Sequence, residues 1–188
     1  MFSSWYRKQT KILLWTNGLV IAASGMLVPI YALYVKRIGG SLLDASITSS
    51  IFFLSAGITS IISGKIVDKI KEDEIMLAIG YLIIGLGYIF YMLVQSPLQL
   101  FFVQMLIGFS EALYYPALDV LYSKYVSKEK SGIIWGSYEG MYYFTTAFGA
   151  IAGGLIVKFL GFNFLFLSMA SLCFISAIYI LSLSRETL

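Results

Sequence analysis

The chain has no histidine and only one cysteine, Cys173, among its 188 residues. Zinc, haem and iron–sulfur sites are built from several histidine or cysteine ligands, and a single cysteine cannot form a disulfide within one chain. Serine–histidine proteases and zinc metalloproteases also require histidine. Charged residues make up only 12% of the chain, whereas a soluble domain averages about a quarter. The composition therefore argues against a soluble domain, and no metal or cofactor is expected.

Hydrophobic residues make up 59% of the chain. They fall into six long stretches, and a helix needs about 20 apolar residues to cross a bilayer. The first stretch is too long for the core of a signal peptide, so we interpret it as a retained helix. The connections leave no room for a soluble domain. We predict an all-α membrane protein in which residues 1–188 form a single bundle, with spans at Ile12–Val35, Ser46–Val67, Ile75–Val94, Leu98–Leu121, Ile133–Val157 and Phe164–Leu183.

The basic residues between these stretches are distributed unequally. Only Lys36, Arg37 and Lys158 fall on one side of a six-pass arrangement, and the other ten of the thirteen fall on the opposite side. An excess of lysine and arginine marks the cytoplasmic side of a membrane protein. We therefore expect a protein of the cytoplasmic (inner) membrane with both termini in the cytoplasm. The ten residues are Arg7, Lys8, Lys11, Lys65, Lys69, Lys71, Lys124, Lys128, Lys130 and Arg185.

An internal repeat is visible at an offset of about 90 residues. The second stretch ends with Gly-Lys-Ile-Val from Gly64, and the fifth ends with Gly-Leu-Ile-Val from Gly154. Pro29 in the first stretch corresponds loosely to Pro116 in the fourth. We predict two repeats, at about 12–94 and 98–183. Because each has three helices, an odd number, the two would have inverted topology, as many transporter folds do.

The loop after the second stretch carries the most specific motif. From Gly64 it resembles the signature G-x-x-x-D-R-x-G-R of the major facilitator superfamily, with Gly64, Asp68 and Lys69 at matching positions. Lys71 occupies the second glycine position of the signature. The basic pair that follows in the family is replaced by Glu72 and Asp73.

Two further helices resemble the same family. Around Gln104 and Gly108 the fourth resembles the pattern R-x-x-Q-G, with Gln104 at the arginine position. The fifth resembles the glycine-rich motif of the family's antiporters, with Thr145 and Ala150 where the motif has glycine and proline. Small residues also let helices approach closely, so a helix-packing face is the favoured interpretation of them. The matching glycines are Gly136, Gly149, Gly153 and Gly154.

The resemblance implies a fold and a mode of action. Family members have twelve helices in two six-helix halves, and this chain has six. We expect a half-size member that pairs as a parallel homodimer about a two-fold axis along the membrane normal. The expected function is secondary active transport of a small organic solute by alternating access, coupled to protons. One half of a heterodimeric transporter is the alternative.

Two carboxyl groups within the spans are candidates for coupling. Glu111 lies near the middle of the fourth span and Glu139 lies in the fifth, and acidic residues inside a membrane usually face a cavity or a partner. Gln104 is one heptad from Glu111 and shares its face. A carboxyl held only for helix packing is the alternative interpretation. The remaining candidates for the substrate and proton cavity are Tyr114, Tyr115, Tyr142, Asn17 and Tyr31.

A cytoplasmic gate is the other implied site. By resemblance, Gly64, Asp68 and Lys69 help to close the cytoplasmic side, and Asp119 could pair there with Lys65 or Lys69. Charge pairs of this kind break when the halves move. Charges that merely mark helix ends are the alternative interpretation.

A non-transporting membrane subunit remains open as a different class of function. An intramembrane aspartyl enzyme needs two facing aspartates, whereas Asp119 is the only aspartate well inside a predicted span. No phosphate-binding loop is present, so transport would be driven by a gradient and not by ATP.

Overall fold

The computed structural model describes residues 8–69 and 72–183, and all regular structure in that part of the chain is helical. Arg7, Lys71 and Arg185 of the predicted charge pattern lie outside the described residues. Two short 3₁₀ helices occupy Val28–Ile30 and Lys128–Lys130. The α-helices are α1 (Lys8–Leu27), α2 (Tyr31–Arg37), α3 (Leu42–Val67), α4 (Asp73–Tyr91), α5 (Pro97–Ser123), α6 (Ser131–Leu160) and α7 (Phe162–Ser182).

Six helical segments in the described residues are long and apolar enough to cross a membrane. They correspond one to one with the predicted stretches, and their ends differ from the prediction by five residues or fewer. The third connection is longer than predicted, because α4 already ends at Tyr91 and Met92–Ser96 joins it to α5. Ser96 caps α5, and Pro97 stands at its first position, where the missing N–H costs nothing.

The first spanning segment is interrupted, whereas the fourth is not. Lys8–Arg37 consists of α1, the 3₁₀ turn Val28–Ile30 and α2, and Pro29 lies inside that turn. Proline has no N–H for an intrahelical hydrogen bond, so a helix breaks or kinks there. Pro116 has the same chemistry, yet α5 continues through it as one helix. The two prolines therefore differ in their local effect.

The helices pack in a defined order. α5 lies against both α3 and α4, α7 lies against α4 and α1, and α6 lies mainly against α1. Buried aromatic rings fill one end of the bundle, where Tyr34 contacts Phe162 and Phe166. The Tyr34 hydroxyl donates a hydrogen bond of 2.7 Å to the Tyr91 carbonyl, so its polar atom is satisfied inside the core.

Glycines permit the closest helix contacts. A Cβ built on Gly149 would lie 2.5 Å from the carbonyl oxygen of Ala22 on α1, and one on Gly153 would overlap the Met26 backbone. Gly136 and Gly154, from the same predicted packing motif, face open space instead. Without a hydrophobic drive between helices in lipid, close backbone approach supplies much of the packing energy. Two of the four glycines therefore hold α6 against α1.

One ion pair joins the start of α4 to the end of α5. Lys124 Nζ lies 2.7 Å from Asp73 Oδ2. The Asp73 side chain is only 4% exposed and that of Lys124 is 48% exposed. Asp73 also lies in the first turn of α4, where the helix dipole favours a negative charge. The pair thus fixes two neighbouring helices at one end of the bundle.

We predict that Gly153→Ala destabilises the protein and Gly154→Ala does not. The added methyl at 153 meets the Met26 backbone, which cannot rotate away, and overpacking of this kind costs about 1–3 kcal/mol. At 154 the methyl enters open space, and alanine favours a helix. Thermal unfolding in detergent, followed by loss of the monodisperse elution peak, compares the two. Equal melting temperatures of the two variants would contradict a close contact between Gly153 and the Met26 backbone.

We predict that Lys124→Met lowers the melting temperature and that Asp73→Asn in the same chain restores most of the loss. The single change leaves a buried carboxylate without its cation, at a cost of about 1–3 kcal/mol given the partial exposure of Lys124. Lys128→Met, in the exposed 3₁₀ turn, is the matched control. Calorimetry in detergent measures all three. If Lys124→Met and Lys128→Met behave alike, the ion pair contributes nothing to stability.

Candidate functional site

An open cavity of about 280 Å³ lies between α1, α3, α4 and α5. Its wall is largely aromatic and aliphatic, and Met169 of α7 also lines it. Phe53 of α3 stands at the cavity and is 70% exposed. A few polar groups in an apolar wall are typical of sites for small organic molecules. The polar lining residues are Ser24, Tyr31, Ser49, Gln104 and Glu111.

A chain of hydrogen bonds joins three helices beside this cavity. Gln104 Nε2 of α5 donates to the Tyr31 hydroxyl at 2.6 Å. That hydroxyl donates to Thr48 Oγ1 of α3 at 2.6 Å, and Thr48 donates to the Asp44 carbonyl at 2.8 Å. Tyr31 directly follows the turn that contains Pro29. The network therefore ties the interrupted first span to α3 and α5.

Glu111 is the one carboxyl group in the cavity wall. It lies two turns along α5 from Gln104, is partly buried, and has no hydrogen bond or ion pair within the described part of the chain. Tyr88, Tyr91 and Ile107 are among its neighbours in the wall. A carboxylate in apolar surroundings is unfavourable without a proton or a cation nearby. The position of Glu111 is therefore suited to binding a proton or a cation.

The structure places two predicted cavity tyrosines elsewhere. Tyr114 is 2% exposed and packs edge-on against Tyr81, with ring centroids 4.9 Å apart. Gly80 of α4 leaves room for Tyr114, because a Cβ at position 80 would lie 2.5 Å from the Tyr114 Cβ. Tyr115 stacks on Tyr114 at 4.9 Å. Both rings therefore serve contacts outside the cavity lining.

Asn17 is also away from the cavity wall. It is fully buried on α1 and accepts a long hydrogen bond of 3.4 Å from the Tyr81 hydroxyl. Its side-chain nitrogen has no hydrogen-bond partner among the described residues. Asn17 thus belongs to the helix interface between α1 and α4.

A second acidic group lies outside the cavity wall. Glu139 of α6 and Asp119 of α5 are both exposed and close enough for their charges to interact. Tyr142 of α6 is 39% exposed and packs against the ring of Tyr143. The structure therefore brings Glu111, Gln104 and Tyr31 together and leaves Glu139 and Tyr142 apart from them.

The candidate gate residues lie at the end of α3. The Asp68 N–H donates to the Gly64 carbonyl at 3.2 Å and so ends the helix. Asp68 and Lys69 are exposed, and within residues 8–69 and 72–183 neither Lys65 nor Lys69 forms an ion pair with Asp119. The ion pair formed here is Asp73–Lys124, which sequence reasoning missed. The sequence signal that could have indicated this pair is Asp73 itself, an acidic residue in the first turn of an apolar helix.

Three members of the cavity and its network were also missed. Ser24, Ser49 and Thr48 are common hydroxyl residues within apolar stretches, and most such residues only bond their own helix backbone. Their position facing the cavity or Tyr31 follows from helix packing. No sequence signal separates them from other serines and threonines of the spans.

Comparisons with known proteins identify relatives of the chain. A family model described as Major Facilitator Superfamily matches residues 13–187. The chain is 29% identical over 178 residues to "Multidrug resistance protein MdtG" of Dickeya zeae, covering 92% of this chain and 43% of the relative. Proteins of the same name from Erwinia billingiae and Klebsiella pneumoniae are 27% and 28% identical, covering 87% and 98% of this chain.

The chain spans less than half the length of these relatives, because the match covers 41% of the Erwinia protein and 46% of the Klebsiella protein. The match nevertheless extends through all six membrane-spanning segments of the described structure. Such a chain is an integral, multi-pass membrane protein. Since the family model covers nearly its whole length, the chain belongs to the Major Facilitator Superfamily.

Proposed function

We propose that the chain is the six-helix unit of a secondary active transporter that moves a small organic solute by alternating access. The observation that carries the proposal is Glu111, an unpartnered carboxyl group in a cavity that is otherwise largely apolar. Ionisable residues inside membrane proteins are costly, and those that persist commonly serve a substrate or ion pathway. Membership of the family supports the same conclusion.

The helix packing supports an inverted repeat of about 12–94 and 98–183. α3 lies on α5 as α6 lies on α1, and α4 lies on α5 as α7 lies on α1. Exchange of the two helix trios therefore maps each of these four contacts onto another of them. Glycines make the corresponding close approaches, with Gly108 of α5 meeting the Phe52 backbone and Gly149 of α6 meeting Ala22. Rocking of one trio against the other is a general route to alternating access.

The working unit of the proposal is a parallel homodimer in the cytoplasmic (inner) membrane. Six spans put both ends of the chain on one side, which the basic residues mark as cytoplasmic. Two copies can then pair about a two-fold axis along the membrane normal. The relatives are more than twice as long as the matched region, and a second copy would supply a second six-helix unit.

Protons are the proposed coupling ion and an amphipathic organic cation is the proposed solute. Glu111 would bind the proton or the cation in turn, beside aromatic rings that attract positive charge. Glu139, next to Asp119, would act as a second proton site. The name of the relatives, which refers to multidrug resistance, is compatible with this class of solute.

The gate belongs to the same proposal. Asp68 and Lys69 lie exposed at the end of α3, and Asp119 is exposed on α5. We infer that these charges find partners in the conformation that is closed on the cytoplasmic side. Rocking of the two copies would then make and break them. The Asp73–Lys124 pair lies within one copy and would persist.

A second candidate is a non-transporting membrane subunit, or one half of a heterodimeric transporter. The observation that favours it is the state of Gln104. This residue stands at the arginine position of the family pattern and is 6% exposed, with its amide nitrogen bonded to Tyr31. A group committed to a structural network contributes less to proton transfer. In a non-transporting subunit, Glu111 would contribute to stability alone.

We predict that Glu111→Gln lowers proton-coupled flux at least about tenfold, because an amide cannot carry the proton that a buried carboxyl would exchange. Purified protein is reconstituted into liposomes that contain the pH dye pyranine. Ethidium and tetraphenylphosphonium are then added outside under an imposed pH gradient. The readout is the solute-dependent change of internal pH. Glu139→Gln is expected to reduce the same signal by a smaller factor.

Glu129→Gln is the matched control, because Glu129 lies in the exposed 3₁₀ turn outside the α-helices. Its flux should equal that of the unmodified protein. Equal flux from Glu111→Gln and Glu129→Gln would overturn the coupling role. A change in melting temperature on Glu111→Gln, with no solute-dependent flux from the unmodified protein, would support the non-transporting alternative.

A further inference from the structure

A second cavity, the α1–α6 groove, lies between α1 and α6 and has a volume of about 210 Å³. Its lining residues differ from those of the cavity that contains Glu111. On the α6 side it is lined by Met141 and Thr145, and the Thr145 hydroxyl donates to the Met141 carbonyl of its own helix at 2.7 Å. The groove therefore offers an apolar wall whose one hydroxyl group is already satisfied. Its α1 wall consists of Leu14, Trp15, Gly18, Leu19 and Ala22.

The groove continues a face of α1 that begins with two lysines. Residues three or four positions apart lie on the same side of a helix. Most other residues of α1 are buried, whereas Trp15 on this face is 66% exposed. The face therefore changes from cationic to apolar within about two turns of the helix. In order, it carries Lys8, Lys11, Trp15, Leu19 and Ala22.

The charge of the two lysines is not balanced by carboxylates. Within residues 8–69 and 72–183 neither Lys8 nor Lys11 forms an ion pair. No acidic residue precedes Asp44 in the sequence. On α6, Glu139 is two residues from Met141, which places it about 200° round the helix and away from the groove. An anionic ligand would supply the missing negative charge.

The dimensions of this face match one leaflet of a bilayer. From Leu14 to Ala22, α1 rises about 12 Å. Half of the hydrocarbon core of a membrane is about 15 Å thick. Trp15 lies one turn from Lys11, and tryptophan is enriched at the level where headgroups meet hydrocarbon. A phosphate near the lysines and an acyl chain along the groove therefore fit the same molecule.

We propose that the α1–α6 groove binds an anionic phospholipid, with its phosphate at Lys8 and Lys11 and one acyl chain against Trp15. Basic sites between membrane helices recognise anionic headgroups, and each lysine near the membrane surface raises the affinity about fivefold. With the N-terminus in the cytoplasm, as proposed above, the site lies in the cytoplasmic leaflet. Binding at this site requires neither transport activity nor a second copy of the chain.

The charge of the groove distinguishes this occupant from two others. The solute proposed for the Glu111 cavity is a cation, which Lys8 and Lys11 would repel. A second copy that paired through this face about a two-fold axis would bring two sets of lysines together. A zwitterionic phospholipid has the same acyl chains but no net negative charge. The anionic headgroup is therefore the feature that selects the ligand.

Quenching of Trp15 fluorescence by brominated lipids tests the site. The protein carries Trp5→Phe and Trp135→Phe, which leaves Trp15 as its only tryptophan. It is reconstituted into phosphatidylcholine vesicles that contain increasing fractions of either phosphatidylglycerol or phosphatidylcholine with brominated acyl chains. Bromine quenches a tryptophan only at short range. We expect half-maximal quenching at a fraction of brominated phosphatidylglycerol at least about fivefold lower than for brominated phosphatidylcholine.

Equal quenching by the two brominated lipids overturns the anionic headgroup as the selecting feature. Absence of quenching by either lipid means that protein covers Trp15, which overturns the lipid and favours a second copy on this face. Each variant below is compared in the same two-tryptophan background, after it elutes as a monodisperse peak.

Removal of the lysines tests the headgroup contact. Lys8→Gln together with Lys11→Gln should reduce the preference for phosphatidylglycerol several-fold. The control is Lys65→Gln together with Lys69→Gln, which removes two exposed lysines from the end of α3. We expect the control to keep the preference of the starting protein. An equal loss from both pairs would assign the preference to overall surface charge and overturn the site.

Filling the groove tests the position of the acyl chain. Ala22 lines the groove, so Ala22→Leu should displace the chain and reduce quenching by brominated phosphatidylglycerol several-fold. Ala147→Leu, on an exposed side of α6, is the matched control and should have no effect. Leu19→Gln, at a partly exposed position, makes the same test if Ala22→Leu does not fold. Unchanged quenching in the folded groove variant contradicts a chain bound against Trp15.

Discussion

Close approach of helix backbones is the constraint on which this fold depends. Lipid tails are as apolar as leucine, so burial of apolar surface gives little drive for helices to associate inside a bilayer. Packing must then come from short contacts, and glycines provide them. Gly108 meets the Phe52 backbone, while Gly149 and Gly153 meet the backbone of α1. These three positions hold α5 against α3 and α6 against α1. The cavity is the space that these contacts leave between the helices.

Sequence patterns predict the spans of such a protein well and its side-chain contacts poorly. Spanning segments follow from length and apolarity, because unsatisfied backbone groups are not tolerated in hydrocarbon. The direction of one ring depends on the neighbouring helix instead. Tyr114 shares a turn with Glu111, yet its ring enters the gap at Gly80 of α4. The ion pair of Asp73 with Lys124 joins residues 51 positions apart, and no local pattern encodes that separation.

The cavity shows how a packing network and an exchange group can share one wall. Tyr31, Gln104 and Thr48 satisfy one another, which fixes the orientation of the interrupted first span. Glu111 lies two turns away without a partner in the described residues. A satisfied network in a low dielectric is rigid, whereas an unpartnered carboxyl retains the capacity to bind. Gln104 and Glu111 lie on the same helix, yet only Gln104 has a hydrogen-bond partner. This difference, and not acidity alone, distinguishes Glu111 from the network residues.

The glycines of α6 divide into two sets, and only one set meets a neighbouring helix within the described structure. Gly149 and Gly153 are filled by α1, whereas Gly136, Gly140 and Gly154 face open space. Glycine weakens a helix by about 1 kcal/mol relative to alanine unless something occupies the space it leaves. Gly149 and Gly153 offset this cost, because they let the backbones of α6 and α1 come together. Gly136, Gly140 and Gly154 have no such contact within the described structure, so the packing of α6 depends on one face of the helix.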